Sequence, residues 1–360
     1  MPRRHATSAL ACLFAAAVFA AGCGSDSDSS TSTAGSAVNR PAPPKSEFPK
    51  AEGRTLGEIV KAADSHAELV VSPAALAFYR GENRYPLGVF HPDRSQLDDA
   101  EVALYLARVP QAKPVGGEVG GTEEQKKGAV ARARTEALEQ PAVGPYPAEI
   151  ESLATQPAYR AQTTTSDPDA ATVVYSTDID FPSDGEWAIA ALIKQGDEVA
   201  ATFLPSASVG EFKRVPRVGQ KAPLIHTPTA ADVGGDLSTI TTRIPPDTQN
   251  RVDYADVLGK EPIILLFATP QFCQSRVCGP VVDVAEEVKE QYGDKAAFIH
   301  MEIYNDNDPS KGVRPQVKAF HLPSEPWLFA IDRRGVIKAE VEGAFGVNRL
   351  TDVVKEVTGE

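Results

Sequence analysis

An apolar run that ends shortly before two cysteines is the feature that most limits the fold of this chain. Residues 262–268 contain no polar side chain, which predicts a strand buried on both faces. Cys273 follows five residues later, and Cys278 follows after another five. Apolar residues then recur at helical spacing, namely Val281, Val284, Ala285, Val288 and Tyr292. We therefore expect both cysteines between a buried strand and the helix that follows it.

The residues after this helix pattern predict five more elements. Residues 297–303 and 327–331 read as strands, and residues 313–320 as a short helix. A hairpin joins 327–331 to residues 336–341. A last helix begins near Asn348, which is a candidate N-cap. The order is strand, helix, strand, helix, strand, strand, helix.

This order resembles the thioredoxin core, and several local motifs carry the resemblance. Phe267-Ala268-Thr269 is similar to the end of the strand that precedes the reactive cysteines in that family. Pro326 stands immediately before a core strand, where the family has its cis-proline. The motif Ile331-Asp332-x-x-Gly335 matches the hairpin of the exported bacterial branch. The resemblance implies a thioredoxin-like α/β domain over residues 213–360.

The resemblance also implies thiol–disulfide exchange, with Cys273 attacking, Cys278 resolving and Pro326 positioning the partner chain. A helix N-terminus favours a thiolate, which is the nucleophile in such exchange. The implied partners are thiols or disulfides of exported proteins and an unidentified redox partner. No cofactor and no metal is expected. Glu325-Pro326-Trp327 is a candidate lining for the partner groove, and Trp327 is equally a candidate for the core.

The spacing of the cysteines departs from the Cys-x-x-Cys of thioredoxins, because four residues separate Cys273 from Cys278. In a regular helix, a five-residue step is about 7.5 Å of rise and about 140° of rotation, which is too far for a disulfide. Either residues 273–277 form a loop or the helix must unwind on oxidation. Two further interpretations remain open: Cys278-Gly279-Pro280-Val281 aligned with Cys-Gly-Pro-Cys, and a permanent structural disulfide.

Two other families and one non-enzymatic role compete with this interpretation. Peroxiredoxin Q has Cys-x4-Cys at this place, but Pro270 and Leu266 stand where that family has Thr or Ser and Pro. Sco-type copper proteins use Cys-x3-Cys with a distant His, for which His300-Met301 or His321 are candidates. A protein that binds a partner or copper without catalysis is the alternative from another functional class.

The N-terminus predicts export and a lipid anchor. Residues 1–22 contain a basic start, an apolar run and small residues, the layout of a secretory signal. The ending Ala20-Ala21-Gly22-Cys23 resembles a bacterial lipobox, which implies a lipid on Cys23. The expected location is the extracytoplasmic face of the cell membrane. Cys12 leaves with the signal, so Cys273 and Cys278 are the two thiols that remain.

Charge and composition limit the partners further. The chain has 36 basic and 49 acidic residues, a net charge of −13. Removal of Arg3 and Arg4 with the signal leaves 34 against 49, or −15. A chain this acidic does not hold nucleic acid by general electrostatics. Residues 23–54 are rich in Ser, Asp, Thr and Pro, which predicts a disordered tether.

Residues 55–212 predict an all-β domain after a short helical lead-in at 55–66. Trp187 and Phe181 are expected in its core, and residues 110–145 read as a long mobile insertion. Loose aromatic spacing around Asp184-Gly185 resembles the immunoglobulin-like modules of exported bacterial proteins, which implies an antiparallel β-sandwich. Six short apolar runs are the predicted strands, at 67–71, 85–90, 101–107, 172–181, 186–193 and 199–203.

Overall fold

Three β-sheets organise the chain in a computed structural model. The described residues, which begin at 38, belong to a single compact unit. The predicted signal at 1–22, the predicted lipid site Cys23 and residues 24–37 lie outside the described part. The structure describes residues 38–66, 69–110, 131–273 and 276–360.

Two of the sheets form the N-terminal half. Sheet A has four strands in the order β2-β3-β7-β6, and sheet B has five in the order β1-β9-β8-β4-β5. All pairs are antiparallel except β1 with β9. The strands are β1 (Ser65–His66), β2 (Val70–Pro73), β3 (Gly81–Phe90), β4 (Glu101–Arg108), β5 (Val143–Pro147), β6 (Glu149–Ser152), β7 (Val173–Phe181), β8 (Gly185–Gln195) and β9 (Glu198–Val209).

Sheets A and B face each other across a shared apolar core, so this half is a β-sandwich. The core contains residues from both sheets, such as Leu87 and Tyr175 of sheet A and Leu104 of sheet B. Phe181 and Trp187 are both buried there, with ring centroids 6.0 Å apart, as expected from the sequence. Side chains that alternate along each strand place every second residue in this core.

The outer face of sheet B is also covered, which the sequence did not predict. Tyr105 and its small neighbours in β4 face a second core with the short helix α1 (Leu56–Lys61). Phe48 is buried in the same layer. The prediction of a disordered tether over 23–54 is therefore wrong for residues 38–54, because their few apolar side chains find a sheet face to cover.

The predicted mobile insertion over 110–145 is also partly wrong. Residues 131–136 are helical, Ala137 is buried beneath α1, and β5 begins at Val143. Residues 111–130 lie outside the described part. The prediction used the Gly, Glu, Lys and Ala content of this segment. That content is misleading because a short Ala-rich helix that covers a sheet has a composition similar to that of a polar linker.

Sheet C forms the C-terminal half, with four strands in the order β11-β10-β12-β13. Strand β10 pairs in parallel with β11 and antiparallel with β12, and β12 forms a hairpin with β13. This is the strand order of the thioredoxin-like core that the sequence predicted. The strands are β10 (Ile263–Phe267), β11 (Ala297–Met301), β12 (Trp327–Ile331) and β13 (Ile337–Glu342).

Helices cover both faces of sheet C, which explains why β10 is wholly apolar. Ile264 and Leu266 point into one core, and Ile263, Leu265 and Phe267 point into the other. The first core also contains apolar residues of the two long helices, and the second contains Val317 of a short one. The helices of this half are α3 (Tyr254–Val257), α4 (Cys278–Tyr292), α5 (Pro315–Ala319) and α6 (Val347–Thr358), while α2 (Gln162–Thr165) lies between β6 and β7.

Helix α6 begins one residue before the predicted N-cap. Gly346 is the N-cap and offers no side-chain hydrogen bond, so the prediction of Asn348 as N-cap is wrong. The N–H of Gly346 instead donates to the Glu151 carboxylate of β6, at 3.1 Å. Among the residues that the structure describes, no helix has the length and apolar character needed to cross a membrane.

Carboxylates join the sandwich to the C-terminal half at further points. Glu342 of β13 accepts hydrogen bonds from the backbone N–H groups of Leu76 and Ala77, at 2.8 and 2.9 Å. Asp283 of α4 accepts one from Ala161, at 3.0 Å. Backbone donors on one half are thus satisfied by side chains of the other, and the two halves form one interlocked unit.

Candidate redox site

Cys273 and Cys278 lie between β10 and α4 and form a disulfide, with their Cα atoms 5.8 Å apart. Cys278 is the first residue of α4, and Cys273 belongs to the loop before it. Cys273 therefore precedes α4, and the two cysteines do not lie on successive turns of one regular helix. Arg276 within this loop has a φ of 61°, and its N–H donates to the Cys273 carbonyl at 3.3 Å.

The two sulfur-bearing residues differ in exposure. Cys278 is fully buried in the core that α4 shares with β10 and α6. Cys273 is half-buried and packs against the edge of the same core. Of the two residues, Cys273 therefore reaches the solvent-accessible surface and Cys278 does not.

The start of α4 has an electrostatic role at this disulfide. Val277 is the N-cap and provides no side-chain hydrogen bond to the first turn. The positive end of a helix dipole stabilises negative charge within about one turn. A negative charge on the Cys278 sulfur would thus lie at the end of α4 that stabilises it.

Pro326 lies at the same end of sheet C as the cysteines. Phe267, the last residue of β10, is opposite Trp327, the first residue of β12, so Pro326 stands across from the segment that leads to Cys273. The Glu325–Pro326 peptide bond is cis. Trp327 is buried and stacks on Phe329, with centroids 5.6 Å apart, so it belongs to the core and does not line a groove.

A cavity lies beside this proline. It has a volume of about 380 Å³, and its lining includes Tyr304, Glu325 and residues 73–76 of the sandwich. The Tyr304 ring also contacts Phe272, the neighbour of Cys273, with centroids 6.4 Å apart. Tyr304 thus contacts both the cavity and the residue that precedes Cys273.

Glu325 has an unusual protonation state within this cavity wall. Burial, together with the nearby Glu302 carboxylate, raises the pKa of Glu325 to about 8. The Tyr304 hydroxyl donates to Glu325 at 3.5 Å, a long contact that compensates little. Near neutral pH this carboxyl is mostly protonated, so it can donate as well as accept a hydrogen bond.

His300, a candidate copper ligand in the sequence, is engaged elsewhere. Its Nδ1 lies 2.8 Å from an Asp247 carboxylate oxygen, and its Nε2 lies 3.1 Å from the Ala268 carbonyl oxygen. Burial alone would lower the pKa of His300, but the Asp247 carboxylate outweighs burial and raises it to about 9. Both ring nitrogens are thus occupied, and no group of three or more candidate metal ligands occurs in the described residues.

Comparisons with known proteins give little beyond this geometry. No family model matches the chain, and no curated protein gives a significant match. A solved structure of a thioredoxin-family thiol:disulfide interchange protein from Chlorobium tepidum TLS is similar, at 16% identity and a TM-score of 0.29. The similarity covers 40% of this chain and 98% of that one. Because the TM-score is so low, the fold assignment rests on the strand order of sheet C.

Proposed function

We propose that this protein carries out thiol–disulfide exchange with exported proteins through Cys273 and Cys278. One observation carries the proposal: a half-buried cysteine is bonded to a fully buried one at the N-terminus of a helix. A disulfide that served only as a staple would close a loop of a few residues. Such short loops gain little stability from a crosslink, which favours a redox use.

The reaction balances between the chain and a client dithiol. A client thiolate attacks the Cys273 sulfur, a client–Cys273 disulfide forms, and Cys278 leaves as a thiolate. The second client thiolate then attacks the client sulfur of this mixed disulfide and releases the Cys273 thiolate, which takes up a proton. The client is oxidised by two electrons and the chain is reduced by two. In the reverse direction, Cys273 attacks a client disulfide and Cys278 resolves the mixed disulfide.

Pro326 and Glu325 are proposed to position the client chain. Pro326 has no N–H, and an extended client segment would pass beside it at the open end of sheet C. The cavity lined by Tyr304 and Glu325 would take a client side chain next to the reacting cysteine. The volume and the mixed lining suit a side chain of moderate size with one polar group.

The location and the domain division are also proposals. We propose that residues 1–22 are a signal, that Cys23 carries lipid and that the protein is anchored on the extracytoplasmic face of the membrane. The proposed division places the sandwich at 55–212 and the thioredoxin-like part at 213–360. That the sandwich is immunoglobulin-like remains a prediction, supported by its two facing antiparallel sheets and buried Trp187.

A trapping experiment tests the exchange. The full chain with Cys278→Ser is reduced and mixed with a model client that contains disulfides, for example native insulin. Cys273 should form a stable mixed disulfide with the client because no resolving thiol remains. The adduct is measured by non-reducing electrophoresis and by mass spectrometry of the linked peptides.

The matched control is Cys273→Ser, which leaves only the buried thiol. This variant should give little adduct in the same time. Absence of adduct from both variants, with both folded, would contradict the proposed exchange. Equal adduct from both would contradict the assignment of Cys273 as the attacking residue.

A further inference from the structure

The segment between β6 and β7, residues 153–172, leaves the sandwich and covers the first turns of the redox helix. Ala161 donates its N–H to Asp283 of α4 at 3.0 Å, and Gln156 donates its N–H to Glu287 at 2.8 Å. An ideal Cβ on Gly279 would lie only 2.9 Å from the Thr164 hydroxyl. The segment therefore packs directly against the residue that follows Cys278.

The same segment also holds Arg276, which lies between the two cysteines in the sequence. The Asp169 carboxylate lies 3.1 Å from an Arg276 guanidinium nitrogen. The Ala171 N–H donates to the Arg276 carbonyl oxygen at 3.2 Å. Arg276 is thus held at its side chain and at its backbone by two residues of the segment 153–172. Its backbone has a left-handed conformation that non-glycine residues seldom adopt.

We propose that Asp169 is a positioning residue of the redox site and that the sandwich stabilises the disulfide-bonded form. This inference rests on the proposed exchange and deepens it. Asp169 acts through Arg276: by holding that residue, it keeps the loop in the conformation in which the Cys273 and Cys278 sulfurs meet. The redox site is therefore built from both halves of the chain.

Two physical effects act in the same direction when the contact is lost. A loop that is no longer held has more conformations in the reduced state, which disfavours closure of the disulfide. An Arg276 charge no longer neutralised by Asp169 stabilises the thiolates of the reduced form. The Asp169–Arg276 pair is partly exposed, with 37% and 27% of the side chains accessible, so a moderate effect is expected.

The test is a redox titration of the full chain against defined ratios of reduced and oxidised glutathione. Asp169→Asn should shift the equilibrium about threefold to fivefold toward the reduced protein, as expected for a partly exposed ion pair. Asp169→Glu keeps the charge and should recover most of the shift. Asp180→Asn makes the same charge change at an exposed position of β7 and should leave the equilibrium unchanged.

A double-mutant cycle separates the pair from general charge effects. With Arg276→Gln in place, Asp169→Asn should have no further effect, because its partner is already absent. Additive effects of the two substitutions would overturn the proposal. An unchanged equilibrium in Asp169→Asn would overturn it as well, even if exchange with glutathione proceeds normally.

Hydrogen exchange provides a readout that does not depend on redox activity. In the oxidised protein, the Ala171 amide should exchange several-fold faster in Asp169→Asn than in the wild-type chain, since its acceptor is the Arg276 carbonyl. Unaltered protection of this amide would count against the proposal. Failure of the wild-type chain to equilibrate with glutathione would instead contradict the proposed exchange. The exchange rate of the Ala171 amide would then be the measurement that tests the role of Asp169.

Discussion

His300 and Asp247 form a fully buried pair beneath the strand that leads to the disulfide, with Nδ1 and a carboxylate oxygen 2.8 Å apart. Thr241 and Asn250 donate to the same carboxylate group, at 2.7 and 3.0 Å. The pair ties the long irregular segment after the sandwich to β11. Removal of one partner of a buried charge pair strongly destabilises the fold, because the other charge stays buried without compensation.

Replacement of His300 should therefore destabilise the fold. We expect His300→Asn to lower the free energy of unfolding by about 3 kcal/mol, measured by urea denaturation at pH 6. His226→Asn is the matched control, since His226 pairs with Asp253 but its side chain is 80% exposed. The control should show no measurable loss. Equal losses in the two variants would show that the buried pair has no special role.

The stabilisation by His300 should depend on pH. The pKa of His300 is raised in the folded state, so its contribution is complete below the unfolded value of about 6.5 and is lost as the pH rises through about 9. The difference in unfolding free energy between wild type and His300→Asn should shrink across this range. A difference that stays constant from pH 6 to pH 10 would contradict the raised pKa.

The two cysteines should react at different rates after reduction. Cys273 should be alkylated by iodoacetamide about tenfold faster than Cys278, because access to the sulfur limits the reaction of the buried residue. Mass spectrometry of the two cysteine peptides after short exposure measures the ratio. Faster alkylation of Cys278 would favour the alternative alignment with Cys278-Gly279-Pro280.

Glu325 should make the fold less stable as the pH rises. Its pKa is raised in the folded state, so the unfolded chain loses this proton first, and stability falls between about pH 4.5 and about pH 8. Glu325→Gln should remove this fall and be more stable than wild type at pH 8.5, on the order of 1–2 kcal/mol. The exposed Glu290 of α4 offers the control, and Glu290→Gln should leave the pH dependence unchanged.

The helices and strands of the C-terminal half could be predicted from the sequence, because a strand buried on both faces is a continuous run of apolar residues. Every residue of β10 is apolar, and the predicted helical face of α4 is buried as expected. The position of the two cysteines between β10 and α4 followed from the order of these segments along the sequence. The alternation of short apolar runs and helical spacing predicted the order of elements along the chain, and the fold was predicted from the resemblance to thioredoxins.

What the sequence did not reveal are the polar contacts between distant segments. Asp283 and Glu287 look like the solvated side of α4 in the sequence, but both are buried against residues 153–172. Both carboxylates accept hydrogen bonds from backbone N–H groups. Every non-proline residue has such a donor, so the sequence does not show which residue is the partner. The sequence analysis missed β5 because a glycine and two prolines in it make the segment resemble a loop. It also missed β6, which has four residues and a single apolar side chain.

The carboxylates of Asp283 and Glu342 have a consequence for how this chain can be cut or recombined. A fragment that starts near residue 213 would keep both acidic groups but lose the amide donors of Ala161, Leu76 and Ala77. It would also uncover the apolar surface of α4 that Leu153 and Ala171 occupy. The C-terminal half is thus not expected to fold alone as it does in the full chain, and evolution or engineering would have to move both halves together.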